Sequence, residues 1–212
     1  MPRKKLIAFT VVALVAVVAL AGVARALRSS APAPALDRAL RHAVVRYDVA
    51  LRPVRPAQLY GKAMTAKRCL VVMRSFERGV EAAATGDAAQ YADSYRFLRG
   101  FLADEARVAH YRGPDVFPTA WSGRIAYWRL LERSEDRVVV RAAVYPTRTT
   151  ARWEPGAARL TDVREHEYTR APILDYTLLR EGATWKVAAR SLWRQGEADM
   201  YFDGGELVEV RP

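Results

Sequence analysis

The chain has 212 residues, is rich in Arg, lacks Asn and carries a net charge of +11. Its apolar and aromatic content is too high for a disordered chain, and the residues beyond the first thirty or so suffice for one sizeable core rather than two. The lone Cys69 excludes an intramolecular disulfide framework, a multi-cysteine zinc site and a lipid anchor through Cys; inside the apolar run from Cys69 to Met73 it reads as a buried structural thiol.

Residues 1–5 form a basic N-tail with Arg3, Lys4 and Lys5. From Leu6 to Ala24 there is no charge, and Thr10 is the only polar side chain. A helix of that length rises about 28 Å, close to the hydrocarbon thickness of a bilayer. Residues 6–27 are therefore expected to be a transmembrane anchor. The run exceeds the ~7–15 apolar residues of a cleavable signal, so retention is the favoured reading. A short basic tail before a long apolar run places the N-terminus inside and the domain beyond it on the extracytoplasmic side of a cell membrane. Arg25, Arg28, Arg38 and Arg41 nearly balance the count across the helix.

Residues 28–55 are expected to be a linker and juxtamembrane helix, and residues 56–212 an α+β domain. Ser29–Pro34 is a stiff Pro/Ala/Ser linker, Ala35–Leu51 reads as helix, and Arg52-Pro53-Val54-Arg55-Pro56 breaks it. Pro56 then opens a longer helix to about Thr85, with Leu59, Ala63, Ala66, Leu70, Met73, Val80 and Ala84 on one stripe. Asp87 is a candidate N-cap for a helix over Ala88–His110, whose Tyr91, Tyr95, Leu98 and Phe101/Leu102 form an aromatic core face.

Dividing the charge along the chain locates the surplus. Residues 1–28 hold five basic residues and no acid, residues 36–84 hold ten basic against four acidic, and the remainder sums to zero. Positive charge beside an anchor favours anionic headgroups over nucleic acid as partner. Arg46, Arg52, Arg55, Lys62 and Arg68 are the expected lipid-facing group, with a merely solvated helix face as the other reading.

After Gly113-Pro114 the pattern turns to strands. Trp121–Glu132 and Arg137–Tyr145 form a hairpin through Ser134-Glu135-Asp136, with Trp121, Ile125, Tyr127 and Leu131 on one face. Pro146 interrupts, and Thr147–Trp153 continues the strand. Val163–Arg170 suits a sheet edge. Ile173–Arg180 and Thr184–Trp193 form the clearest hairpin, with Trp185, Val187, Ala189 and Trp193 on one face; Met200–Val210 adds a short one.

Helices before antiparallel strands imply an α+β fold: a transmembrane helix, then two to three helices packed in a curved, cone-like sheet. That order, with the hairpin Asp175-Tyr176-Thr177-Leu178-Leu179-Arg180-Glu181-Gly182-Ala183-Thr184-Trp185-Lys186-Val187, resembles the nuclear transport factor 2-like superfamily over about residues 56–195. Its last hairpin commonly reads as an apolar strand, an acidic-Gly turn and Trp-Lys-Val. The family's helix between early strands has no clear counterpart after Trp121. Membrane-anchored members, such as the inner-membrane component of type IV secretion systems, look like scaffolds. Enzymatic members use Asp, His and Tyr inside the cone, which makes His110, Asp115, Tyr127, Tyr168 and Asp175 the candidate acid–base residues here.

Each candidate also has a structural reading. His110 complements a helix C-terminus, Asp115 sits in a turn, and Asp175 faces solvent or pairs with an Arg. His42, His110 and His166 fall in three separate elements without ligand spacing, so no metal is expected. No phosphate-binding Gly loop or Gly-x-Ser-x-Gly elbow occurs, so no cofactor is expected. The expectation is a non-enzymatic, membrane-tethered scaffold whose curved sheet or cavity mouth engages a partner protein. The alternative is a small-molecule-binding or isomerase/dehydratase-type domain using the cone cavity. Pairing of two copies, sheet to sheet, is a further option.

Overall fold

The computed structural model describes residues 34–89, 94–113 and 115–211, together with the backbone but not the side chains of 94–98. The expected anchor, residues 6–27, lies outside the described residues, as do the side chains of Tyr91, Tyr95 and Leu98. Among the described residues no helix is long and apolar enough to cross a membrane. The chain divides at Arg38, and the unit from Ala39 onward holds the packed helices and sheets.

Helix α1 (Pro34–Ala50) buries Leu40, Ala43, Val44, Tyr47 and Asp48, the 3–4 spacing of one helical face. The long helix expected from Pro56 starts ten residues late. Pro56 opens only a 3₁₀ turn, Ala57–Leu59, and Gly61 at φ +69° turns the backbone left-handed. Helix α2 (Ala66–Ala83) begins instead at Thr65, whose side chain accepts from the Arg68 N–H. Its buried face is Cys69, Val72, Phe76, Val80 and Ala83, and Leu70 is exposed. The run Cys69–Met73 is apolar on every side, so there the expected Leu70 and Met73 lie one residue off the buried Cys69 and Val72, while Leu59, Val80 and Ala84 are buried as expected.

The short helix α3 (Gly86–Ala89) and helix α4 (Ser94–Arg112) take the place of the single helix expected from Ala88. Helix α4 buries Phe101, Glu105 and Val108, while Leu102 is exposed.

Strands β1 (Val116–Arg133) and β2 (Arg137–Glu154) form a long antiparallel hairpin. The first part of β2 pairs with β5 (Leu174–Glu181), and its last part with β3 (Arg159–Glu167). Pro146 does not interrupt β2: it falls between these two pairings, where no partner needs its missing N–H, and its carbonyl accepts from the Tyr168 N–H at 2.9 Å. Strand β6 (Thr184–Leu192) pairs with β5, giving the order β1-β2-β5-β6 with β3 on the side of β2. Among the described residues β3 pairs only with β2, and it is the expected edge.

A second sheet of β4 (Arg170–Pro172), β7 (Arg194–Gln195), β8 (Ala198–Asp203) and β9 (Glu206–Val210) has the order β4-β8-β7, with β9 on β8. The helices cover one face of the main sheet. There Tyr47 of α1 meets Tyr176 edge-to-face at 6.4 Å, and Tyr176 lies beside Val140. The second sheet covers the opposite face, through Ala143, Tyr145, Ala171, Ile173 and Met200.

Bulges decide which side chain meets which layer. Trp121 and Gly123 face the helices, but the irregularity between Ile125 and Tyr127 sends Tyr127 to the other side, against Phe202 at 5.7 Å. The expected common face of Trp121, Ile125, Tyr127 and Leu131 therefore does not form. In β6, the shift between Thr177 and Leu178 pairs Ala189 and Val187 with neighbouring residues of β5, which face opposite sides. Trp193 packs with the second sheet. The expected face of Trp185, Val187, Ala189 and Trp193 is split as well.

Candidate functional site

The five acid–base candidates do not converge. His110 is exposed in the last turn of α4, edge-to-face with Tyr111 at 4.9 Å. Asp115 is exposed, and its carbonyl accepts from the Trp153 N–H at 3.0 Å. Tyr127 lies under the second sheet. Asp175 accepts two hydrogen bonds from Arg141, at 2.7 and 2.9 Å, and the same guanidinium covers Trp193 at 4.2 Å. Only Tyr168 lines the main cleft. Among the described residues no group of three His, Cys, Asp or Glu could hold a metal.

The basic residues expected to face lipid also separate. Arg46 and Lys62 are exposed, donating to the Ala82 and Gln58 carbonyls at 2.7 and 2.8 Å. Arg68 donates to the Ala63 carbonyl. Arg52 instead turns to Asp48 at 3.1 Å, and its guanidinium lies 5.2 Å from the Trp121 ring. Arg55 is only 11% exposed and is bound twice by Glu105, at 2.6 and 3.0 Å. An arginine so committed inside the protein has no charge to offer a bilayer, and Arg55 leaves that set.

What the fold does assemble is a cleft of about 440 Å³, within the range of ligand sites. Its walls are the segment after α1 (Leu51–Pro53), helix α4 (Gly100, Phe101, Asp104, Arg107) and the sheet. The sheet wall is a stacked pair: Trp121 of β1 and Tyr168 beyond β3, 6.0 Å apart with planes at 24°. Pro53, Pro146 and Pro172 make the remaining wall stiff. A second hollow of about 320 Å³ adjoins it, lined by Arg112, Arg148 and His166 and sharing Arg107 and Tyr168 with the first.

Arginines crowd this wall. Arg148, only 11% exposed, lies 5.8 Å from the Tyr168 ring and 6.0 Å from that of Trp121. Among the described residues Asp104 is the single acid lining the two hollows, and it serves two of the arginines at once: Arg148 at 2.8 Å and Arg107 at 3.0 Å.

Three buried donors in the residues around the two hollows, closed to solvent, have no partner among the described residues: Trp121 Nε1, Arg148 Nε and Arg112 Nη1. Each buried N–H left without an acceptor costs about 1–3 kcal/mol, and sites that hold such groups together are uncommon. The arrangement can do one thing well: it can offer guanidinium groups and two aromatic faces to an acceptor-rich guest.

None of Trp121, Arg148, Asp104 or Arg107 stands out in the sequence as functional. The available signal is Arg148 itself, a charged residue inside the Thr147–Thr150 stretch of a central strand, where it needs a partner.

From Ala39 onward the chain thus makes an α+β domain of helices and antiparallel sheets with an arginine- and aromatic-lined cleft. The sequence matches no protein-family model and no curated protein.

Proposed function

We propose that the chain is a membrane-tethered, non-enzymatic interaction domain: residues 6–27 hold it in a cell membrane, and the cleft between α4 and the sheet engages a partner protein on the extracytoplasmic side. The cleft carries this reading. Trp, Tyr and Arg are the side chains that dominate binding energy at protein interfaces, and here they line one concave surface with Trp121, Tyr168, Arg52 and Arg107. Helices on one face of a bulged antiparallel sheet, together with the β5–β6 hairpin, support a cone-like fold of nuclear transport factor 2 type. The dispersal of His110, Asp115, Tyr127 and Asp175 over separate surfaces weighs for binding over proton transfer.

A photo-crosslinking residue at Tyr168, with one at the exposed Val163 as control, tests both parts in membranes of the native host. The expected result is a discrete protein adduct from position 168 and none from 163, with the chain kept in the pellet after alkaline carbonate. A chain that carbonate strips from the membrane with its first residues intact refutes the tether. Equal labelling at the two positions refutes the cleft as the contact surface.

A further inference from the structure

The chemistry of the cleft defines its guest more narrowly. Resting on the reading of the cleft as the partner site, we infer that it takes an acidic segment of a polypeptide, whose carboxylates displace Asp104 from Arg107 and Arg148.

Three observations lead there. The first is charge. Among the described residues the two adjoining hollows are lined by Arg52, Arg107, Arg112, Arg148 and Arg170 against Asp104 alone. Arg52 and Arg170 are met from outside the hollows by Asp48 at 3.1 Å and Asp203 at 3.9 Å. Arg107 and Arg148 share one carboxylate, so the concave surface keeps a positive excess that favours an anionic guest.

The second is the sharing of Asp104. Arg148 gives it one nitrogen at 2.8 Å and Arg107 another at 3.0 Å. A carboxylate brings two acceptor oxygens and suits the fork of a guanidinium, which binds it through two parallel N–H groups. Asp104 is one-sided by comparison: a single oxygen, Oδ1, accepts from both arginines. Asp104 is therefore a stand-in for the guest. A guest carboxylate can give one oxygen to each of Arg107 and Arg148, which Asp104 does not.

The third is shape. The two hollows adjoin through Arg107 and Tyr168. An extended segment can lie across both, with apolar side chains on the Trp121–Tyr168 stack and acidic ones at the arginines. A compact inorganic anion would leave the aromatic wall unused.

The test uses the full-length chain in detergent micelles and a phage-displayed library of random 12-residue peptides. The expected outcome is enrichment of sequences rich in Asp and Glu. A synthetic peptide from the enriched set should bind roughly tenfold or more weakly to Arg148→Gln, as befits loss of a charge-assisted contact. It should also weaken about threefold or more with Arg107→Gln, a half-exposed position where the fold is not at stake. Asp104→Asn is the decisive variant. Removing the stand-in should tighten binding about threefold or more, which a purely structural role for Asp104 cannot do. The melting temperature of each variant shows that it is folded.

Enrichment without acidic residues overturns the inference, as does no enrichment or an Asp104→Asn variant that binds more weakly. Displacement of the peptide by soluble dihexanoyl phosphatidylglycerol at lower concentration than by free peptide also overturns it, and gives the cleft to lipid headgroups. These results leave the crosslink from Tyr168 untouched, so the broader reading stands or falls separately.

Discussion

The pair Arg55–Glu105 offers the sharpest test of how this fold is held together. Arg55 belongs to the segment between α1 and α2, and Glu105 to α4, fifty residues away. The contact is bidentate, at 2.6 and 3.0 Å, with both side chains about nine-tenths buried. The Arg55 guanidinium also lies 4.3 Å from the Phe117 ring, which joins the segment to β1. Changing Glu105 to Gln leaves a buried cation with no countercharge, a situation that costs about 3–5 kcal/mol. Arg55 keeps the Phe117 face and a 3.4 Å bond to the Lys62 carbonyl, so the lower end applies.

For a domain of this size each kcal/mol moves the melting temperature by about 2–4 °C, so Glu105→Gln should melt about 6–12 °C below the parent. The double variant Arg55→Met/Glu105→Leu removes both charges and keeps volume, and should return to within about 1–2 kcal/mol of the parent. Thermal and urea unfolding of the full chain in detergent, monitored by circular dichroism, reads both numbers. A single-variant shift below about 2 °C, or a double variant no more stable than the worse single, would refute the account of this pair as a buried, mutually dependent unit.

Local geometry sets three further outcomes. Gly61 has φ +69°, and a Cβ there would lie 2.2 Å from Trp153 Nε1, so Gly61→Ala should cost about 2 kcal/mol or more; adding Trp153→Leu should recover part of it in the same unfolding assay. Hydrogen bonds from Thr85 and then Lys186 hold the Glu181 carboxyl below its ordinary range. A lowered folded value stabilises above the unfolded carboxylate pKa of about 4.3 and is lost as pH falls through the folded value, so the melting difference between the parent and Glu181→Gln should be full at pH 6 and vanish on acidification below that range. Burial, and secondarily the charge of Glu105, push the Cys69 thiol up; iodoacetamide at pH 8 should leave the native chain unlabelled and label it once denatured.

The helical half shows what periodicity can carry. Breakers are legible where they are local, since Pro53 and Pro56 follow the end of α1; the cap at Thr65, which opens α2 with a side-chain bond, is missed because Pro56 takes its place in the reading. Periodicity fails where it is degenerate, since the Cys69–Met73 run gives no polar residue to mark the solvent side. In the strands the failure has a different cause. Each bulge shifts the count by one and turns every later side chain to the opposite layer. Strand β1 has three such irregularities and the β5–β6 pairing one, so strand positions are legible while their faces are not. Strict alternation groups Tyr127 with Trp121 for this reason, and Tyr127 belongs instead to the cluster under the second sheet.

The cleft is hidden by a related limit. Counted along the chain, the surplus of positive charge stops before residue 85, and everything after it balances. Yet Arg107, Arg112, Arg148 and Arg170 all come from that balanced part. Asp104 and Asp203 meet three of them, and other acids of that part are spent elsewhere: Glu105 inside the pair with Arg55, Asp175 beneath Arg141, Glu181 on Lys186 at the β5–β6 turn. Folding thus separates charges that the sequence interleaves, and it does so because each acid with a close local or packed partner is withdrawn from the common field. What is left over collects where α4 crosses the end of the sheet. A neutral stretch of sequence can carry a locally cationic surface on these terms, and Asp104, shared between two arginines, marks where an outside carboxylate has most to gain.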